Sequence, residues 1–345
     1  MKNKNILNYN FKYSGLIIFV AGAIASFGFA PFHFFPLTIL SYVFLIHFFI
    51  ISQKEKKNVF LCSFFYGLGT HIGLLYWIAI SFQTANSGGY LLGAVAVFIL
   101  CSFLSIFIAI PFYLLIKFSK NFKDINFGLF FIFIFTIFDW LKGNILWGFP
   151  WTPISSIWSF SSFTLYPFSV LGVWGYSFIT YSLIISFYYF IFNFKKGLLF
   201  LIPFILIILV MPNLLKKEKS FFDTIFIRLV QPNIKQEDKW NKEYLFNNYE
   251  KLTSLIKSSG YEEIDLLILP ETAINFKAEE LNNNDHKNNF GLDYIKNIII
   301  GAIRTSKEGR DIKIFNSMYL ITSNTKNNLY HDKLKLVPFG EYIPF

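Results

Sequence analysis

The chain has 345 residues and a formal net charge of +10, and 54% of its residues are hydrophobic, including 46 phenylalanines. A soluble globular protein has too little interior to bury so much apolar surface, so the composition favours insertion into a membrane. The lysines cluster in short loops between apolar spans, and no basic stripe alternates with stacking aromatic residues. The composition therefore argues against nucleic acid as a partner.

Seven apolar spans are predicted before residue 215, because a helix needs about 20 apolar residues to cross the hydrocarbon core of a bilayer. The basic stretch 1–13 precedes a full-length span without a fitting cleavage site, so we interpret the first span as a retained helix. Residues 1–215 are therefore predicted to form a transmembrane bundle. Its spans cover 14–30, 34–52, 59–82, 90–117, 127–145, 163–193 and 197–214.

Lysines are concentrated in alternate loops of this bundle, before span one and after spans two, four and six. The other loops contain only Lys142 up to residue 215, and this asymmetry predicts a cytoplasmic N-terminus. An odd number of spans then places everything after residue 215 on the outer side. Lys216, Lys217 and Lys219 oppose this orientation, but the lysines on the predicted inner side outnumber them.

The loop 139–162 is rich in tryptophan and begins with Asp139 at the end of span five. Tryptophan is common at membrane boundaries, so an interfacial aromatic belt would explain Trp147 and Trp151. The alternative is a lipid-binding arm at the mouth of a cavity, with these two residues contacting substrate. A charged side chain at the end of a span is either interfacial or functional, and both interpretations remain open for Asp139.

Residues 220–345 are predicted to form a separate α/β domain, because strand-like and helix-like patterns alternate along them. A polar segment, 278–289, is predicted to be a loop or a short helix, and 324–328 is predicted to be the turn of a paired meander. The predicted strands are 223–230, 264–269, 298–303, 312–322 and 328–336, and the predicted helix is 243–258.

Candidate catalytic side chains follow two of these strands. Glu271 comes after Pro270 at the end of a buried strand, where it could be a desolvated general base or a carboxylate favoured by a helix dipole. Lys333 and Lys335 share one face of a strand, as solvated edge charges or as a cation that stabilises an oxyanion. The turn that follows can return Glu341 to the same place.

Cys62 and Cys101 both lie inside apolar spans, so we interpret them as buried small hydrophobic residues. The sequence contains no zinc-type Cys/His spacing. Neither a metal nor a nucleotide cofactor is implied.

Short stretches across nearly the whole chain resemble the membrane apolipoprotein N-acyltransferases, which fuse a transmembrane bundle to a carbon–nitrogen hydrolase (nitrilase-like) domain. Each stretch is weak alone, but together they are specific because they occur in the family's order. They are Gly-Phe-Ala-Pro-Phe (28–32), Gly-Phe-Pro-Trp (148–151), Gly-Val-Trp-Gly-Tyr-Ser (172–177), Gln-Pro-Asn-Ile-Lys-Gln (231–236) with Trp240, Leu-Pro-Glu-Thr-Ala (269–273), Asn316-Ser317 and Lys-Leu-Lys-Leu-Val-Pro-Phe-Gly-Glu (333–341).

The resemblance implies that Glu271 is the general base, that Lys333 stabilises the oxyanion and that Glu341 is a supporting carboxylate. Lys333 matches the family's lysine, and Lys335 does not, because Lys333 lies eight residues before the Glu of Pro-Phe-Gly-Glu. Trp240 matches an aromatic residue that helps to hold the lipid. The implied reaction moves an acyl chain from a phospholipid to a cysteine thiol, and then to the amine of diacylglyceryl-cysteine on an apolipoprotein.

By the same resemblance, the second domain would be an αββα sandwich that is incomplete at its C-terminus. In the family the nucleophilic Cys comes some tens of residues after Pro-Phe-Gly-Glu and a last transmembrane helix follows, so this chain is expected to lack both, as a fragment, a truncated gene product or a decayed copy. Cys62 and Cys101 would not replace that nucleophile. The expected location is the inner membrane of a bacterium, multi-pass, with the catalytic domain on the periplasmic side. The alternatives are a membrane-tethered carbon–nitrogen hydrolase acting on small amides, and a non-catalytic transporter or binding protein.

Overall fold

A computed structural model of the chain describes residues 11–52, 56–84, 89–119, 121–146, 148–214, 224–235, 237–239, 241–274, 295–308, 311–322, 329–337 and 341–342. The chain forms two compact units, Met1–Glu218 and Lys219–Phe345. The predictions for Trp147, Trp240, the segment 278–289 and the turn 324–328 lie outside the described residues.

The first unit is built from α-helices joined by short loops. By length and composition, four of the described helices are able to cross a membrane, over Asn58–Leu75, Gly89–Phe118, Ile125–Asn144 and Ser162–Phe190. The helices are α1 (Phe11–Ala25), α2 (Phe35–Ser52), α3 (Lys56–Leu75), α4 (Ile78–Thr84), α5 (Gly89–Phe118), α6 (Ile125–Asn144), α7 (Ser162–Phe190, kinked at Gly172) and α8 (Phe194–Leu214).

The third predicted span, 59–82, is divided in the structure. Helix α3 ends at Leu75 and α4 begins at Ile78, so the chain breaks the helix at Tyr76 and Trp77. The Trp77 indole nitrogen donates a hydrogen bond to the Leu74 backbone oxygen at 3.0 Å. A helix end leaves carbonyl groups without intrahelical partners, and this side chain satisfies one of them.

Close contact between helices holds this unit together. A Cβ added to Gly69 on α3 would lie 2.1 Å from the Phe19 backbone oxygen on α1, so the two backbones touch at this point. Aromatic side chains fill the centre, where the ring centroids of Phe112 and Phe135 are 4.7 Å apart. Small residues that permit backbone contact are the usual basis of helix packing in membranes.

The second unit contains a mixed five-stranded sheet with the strand order β1-β2-β3-β4-β5. The first three strands are parallel, and β3, β4 and β5 are antiparallel to their neighbours. The predicted α/β character and the paired meander are therefore present, whereas the nitrilase-like sandwich remains a prediction. The elements are β1 (Ile227–Leu229), α9 (Leu245–Ile256), β2 (Leu266–Ile268), β3 (Asn297–Glu308), β4 (Asp311–Thr322) and β5 (Leu329–Asp332).

One face of α9 packs on this sheet because its apolar residues recur at helical spacing. Leu252 and Ile256 are buried on that face with Leu267 of β2 and Ile300 of β3. Each such side chain stabilises the fold by about 1.5–3 kcal/mol through apolar burial. This core holds α9 against the parallel strands β2 and β3.

Candidate active site

Lys333 lies between two carboxylates just beyond the end of β5. Its Nζ is 3.2 Å from Glu271 Oε1 and 2.8 Å from Glu341 Oε1. The three side chains selected from the sequence are therefore in direct contact in the structure. Their catalytic roles remain predictions.

Asn316 on β4 connects the same two carboxylates. Its Nδ2 donates to Glu271 Oε1, and it donates to Glu341 Oε1 at 3.3 Å. Its backbone oxygen accepts the Lys333 N–H at 2.8 Å, which holds the start of the Lys333 segment on β4. Glu341 also accepts the Val337 N–H at 2.8 Å, so it is bound by three donors. In the sequence, Asn316 belongs to a stretch that matches the family, and no role was predicted for it.

The contacts within the cluster favour the ionised forms of Lys333 and Glu341. The hydrogen bond to Glu341, followed by that to Glu271, raises the pKa of Lys333 above its usual value. Burial opposes ionisation of Glu341, but hydrogen bonds from Lys333, the Val337 backbone and Asn316 together lower its pKa. A lysine held as a cation is suited to stabilising a developing oxyanion.

The Glu271 side chain is 60% exposed among the described residues. Strand β2 ends at Ile268, so Glu271 follows the buried strand by three residues, directly after Pro270. Its role as a general base remains a prediction.

The backbone around Glu271 rests directly on β3. Leu269 donates to the Ile299 oxygen at 2.8 Å, and Ala273 donates to the Gly301 oxygen at 2.9 Å. A Cβ on Gly301 would lie only 2.6 Å from Glu271 Cα, so a side chain there would displace the carboxylate. A glycine inside an otherwise apolar strand often marks close backbone approach, so Gly301 is the signal in the sequence for this contact.

An ion pair supports β5 immediately before Lys333. Arg304 on β3 donates to both Asp332 oxygens, at 3.0 Å from Nε and 2.7 Å from Nη2, and Ser317 also donates to Asp332. The hydrogen bonds from Arg304 are the main reason that the pKa of Asp332 is lowered. The guanidinium lies 4.2 Å from the Phe315 ring centroid and 4.6 Å from that of Tyr330. This contact ties β5 to β3 across β4.

A cleft of about 210 Å³ opens beside Glu271. A second cation, Lys239, lies in it and donates to Thr272 Oγ1. Burial lowers the pKa of Lys239, and the nearby Glu271 carboxylate acts in the opposite direction. The lining residues are Gln231, Pro232, Ile234, Lys239, Asn248, Tyr249, Leu252, Pro270, Glu271, Thr272, Ala273 and Ile274.

A buried ion pair lies in the first unit at Asp139. Lys142 Nζ is 2.9 Å from Asp139 Oδ1, and the side chains are 7% and 4% exposed. Asp139 also accepts the Ile154 N–H and the Ser177 hydroxyl, both at 3.0 Å. Asp139 is thus buried within the first unit, and both interpretations from the sequence remain predictions.

Trp151 in the following loop is exposed and stacks on Trp77, with ring centroids 5.5 Å apart and planes 12° apart. Exposed aromatic rings suit a lipid interface.

Among the described residues, no three His, Cys, Asp or Glu side chains are grouped as metal ligands would be. Cys62 and Cys101 are both buried in helices of the first unit, α3 and α5.

The apolar helical unit and the mixed sheet with its Glu–Lys–Glu cluster define a membrane protein with an attached α/β unit. Residues 21–187 match the family model of the apolipoprotein N-acyltransferase N-terminal domain. An apolipoprotein N-acyltransferase of Rickettsia typhi is 30% identical over 344 residues, 95% of this chain and 66% of the relative. One from Haemophilus influenzae is 27% identical over 372 residues, 100% of this chain and 68% of the relative.

The chain belongs to the apolipoprotein N-acyltransferase family. A Rickettsia prowazekii relative with the same name is 29% identical over 344 residues. The chain spans 66% of the length of both Rickettsia relatives.

Proposed function

We propose that this protein transfers an acyl chain from a phospholipid to the N-terminal amine of diacylglyceryl-cysteine on apolipoproteins. The observation that carries the proposal is the position of Lys333, bound to Glu271 and Glu341 beside an open cleft. A carboxylate next to a fixed cation supplies a proton acceptor and an oxyanion stabiliser within one small site. The names of the relatives select acyl transfer among the reactions that such a pair could serve.

In this mechanism Glu271 is the general base. It takes the proton of a thiol, and the thiolate attacks the ester carbonyl of the phospholipid. Lys333 stabilises the oxyanion, and the lysophospholipid leaves with the proton from Glu271, giving a thioester. The lipoprotein amine then attacks the thioester, loses a proton to Glu271 and displaces the thiolate as the amide forms. The described residues of the second unit do not include the thiol.

Glu341 and Asn316 hold the reacting groups in place. Glu341 binds Lys333 at 2.8 Å, and Asn316 donates to both carboxylates. An amide donor between two carboxylates reduces their mutual repulsion without adding a charge. Glu341 is therefore a supporting carboxylate, as the family resemblance implies.

The proposed location is the bacterial inner membrane, with residues 1–215 as the transmembrane bundle and residues 220–345 on the periplasmic side. The lysine asymmetry of the loops supports this orientation. Trp147, Trp151 and Trp240 are proposed lipid contacts, and the exposed stack of Trp151 on Trp77 supports this role for Trp151. The nitrilase-like sandwich is likewise part of the proposal.

The proposal is tested by acyl transfer in a chimera, in which this chain is continued by the remaining third of the Rickettsia typhi relative. Membranes containing the chimera receive labelled phospholipid and a diacylated lipopeptide, and the triacylated product is measured by mass spectrometry. We expect transfer that Glu271→Gln abolishes. Hydrolysis of small amides without lipopeptide acylation would instead establish the membrane-tethered hydrolase. A chimera that acylates equally well with Glu271→Gln would refute the assigned base.

A further inference from the structure

Lys239 is a charged group in the cleft with no role in the mechanism above. It donates to Thr272 Oγ1, and Thr272 directly follows Glu271, so the ammonium group is held one residue from the proposed base. Within the residues that the structure describes, this is its one hydrogen bond. An ammonium group has three protons, which leaves two donors for a ligand.

Both carboxylates of the cluster bind Lys333 and not Lys239. Glu341 and Glu271 both bind Lys333, and Asn316 donates to each of them. Lys239 therefore forms no ion pair with either carboxylate, although Glu271 is close enough to influence its charge. A positive group with unused donors on the wall of a cleft favours an anionic ligand.

The rest of the cleft wall is largely apolar. Pro232, Ile234, Leu252 and Ile274 line it together with Lys239. A ligand that fits this cleft has an anionic group, which binds Lys239, joined to an apolar part, which contacts the apolar side chains. An inorganic anion would bind only Lys239.

We propose that Lys239 binds the phosphate group of the phospholipid acyl donor and so selects donors that carry a phosphodiester. This inference rests on the proposed function, because that function supplies the phospholipid. In a glycerophospholipid only the glycerol backbone separates the phosphate from the ester carbonyl that reacts. A phosphate held one residue from Glu271 therefore leaves the ester within reach of the base and of Lys333.

The test is photolabelling of the 345-residue chain in a phosphate-free detergent. One probe is a phospholipid with a photoreactive group at the start of an acyl chain, and the second is the matching diacylglycerol without phosphate. Labelled peptides from 231–234, 248–252 and 272–274 are quantified by mass spectrometry. Inorganic phosphate is added as a competitor in a third arm.

We expect the phospholipid probe to label these peptides in the wild-type chain, and Lys239→Met to reduce that labelling about tenfold, as loss of a charge-assisted hydrogen bond would. Lys239→Arg keeps the charge and should keep most of the labelling. Lys242→Met, which removes the same charge from an exposed lysine three residues away, should have no effect. The diacylglycerol probe should label all variants weakly and equally.

Equal labelling by the two probes, or labelling that survives Lys239→Met, would overturn the inference. Displacement of the phospholipid by an equal concentration of inorganic phosphate would show a site for the free anion and would overturn the lipid assignment. Glu271→Gln should lose acyl transfer in the chimera but keep its photolabelling. Failure of the proposed function would thus be detected in the acyl-transfer assay of the chimera. Failure of this inference would be detected in the photolabelling of the 345-residue chain.

Discussion

Asp139 and Lys142 lie one turn apart on α6 with 2.9 Å between Oδ1 and Nζ, and both bind the backbone of the loop that follows. Lys142 donates to the Thr152 oxygen at 2.7 Å, and Asp139 accepts the Ile154 N–H at 3.0 Å. Buried backbone polar groups need hydrogen-bond partners, and Thr152 and Ile154 are both buried. The ion pair provides these partners to the loop that carries Trp151.

The first prediction concerns this pair. Asp139→Asn and Lys142→Met should each destabilise the protein by about 3–5 kcal/mol, because each leaves a buried charge without its partner. The double variant should be less destabilised than either single variant. Thermal unfolding in detergent measures these differences, and Lys117→Met at an exposed position of α5 is the control. A double variant that loses the sum of the two single effects would show that the charges do not interact.

The second prediction separates the two lysines that follow β5. In the chimera, Lys333→Ala should lower the rate of acyl transfer by a factor equivalent to about 3 kcal/mol, the usual effect of losing an oxyanion donor. Lys335→Ala should retain most of the rate, because Lys335 is exposed. Equal and mild losses at both positions would mean that both lysines are solvated edge charges.

The third prediction concerns Gly301. Gly301→Ala places a Cβ within 2.6 Å of Glu271 Cα, so it should displace the base and lower transfer by at least about tenfold. Gly260→Ala is a suitable control, since φ of Gly260 is +80° and the closest atom to its added Cβ is 3.9 Å away on Arg228. It should cost about 1 kcal/mol of stability through backbone strain and leave transfer almost unchanged. Similar transfer in the two variants would argue against the assigned position of Glu271.

The fourth prediction is a pH dependence of stability. The pKa of Glu341 is lowered in the folded protein, so its contribution is present above its unfolded pKa and is lost as the pH falls through the folded value. The pKa of Lys333 is raised, so its contribution is lost only as the pH rises through a value above 10.5.

The stabilising effect of Glu341 should therefore be constant between about pH 6 and 9 and should decrease below about pH 4. Calorimetric unfolding of the wild-type chain and of Glu341→Gln at a series of pH values measures it. A difference between the two that grows as the pH falls would contradict the assigned direction of the Glu341 pKa.

The fifth prediction concerns orientation. A reporter fused after residue 220 should be active in the periplasm, and one fused at residue 55 should be active in the cytoplasm, because of the lysine asymmetry. A cytoplasmic signal at residue 220 would exclude lipoprotein acylation, since the acceptor amine is on the outer side.

Elements with strong periodicity were predictable from the sequence. The helix predicted over 243–258 is α9, Leu245–Ile256, and the meander predicted after residue 312 is the antiparallel pair β4 and β5. The break between α3 and α4 was not predictable from hydropathy, because Tyr76 and Trp77 are apolar enough to continue a span. The length of β3, which reaches Glu308, exceeds its apolar core because β4 pairs with the polar residues as well.

Only the acidic and basic residues of the candidate site were predictable from the sequence. Glu271, Lys333 and Glu341 were identified from the ends of strands and from family resemblance. The roles of Asn316, Lys239 and Gly301 depend on which residues oppose each other across strands and loops, and such pairs are far apart in the sequence. Likewise, Lys142 was considered in the sequence only as a charge that bears on membrane orientation. Its contacts with Asp139 and Thr152 form only when the loop folds back.

Gly301 contacts the backbone of Glu271, so the main chain sets the position of the Glu271 carboxylate. The carboxylate is placed by hydrogen bonds from Leu269 and Ala273 to β3, not by the shapes of the buried side chains around it. Conservative exchanges among Leu252, Ile256 and Ile298 can therefore alter how firmly the unit folds while the distance from base to cation stays the same. In this chain the apolar core can change without moving the carboxylate, whereas a side chain at Gly301 would move it directly.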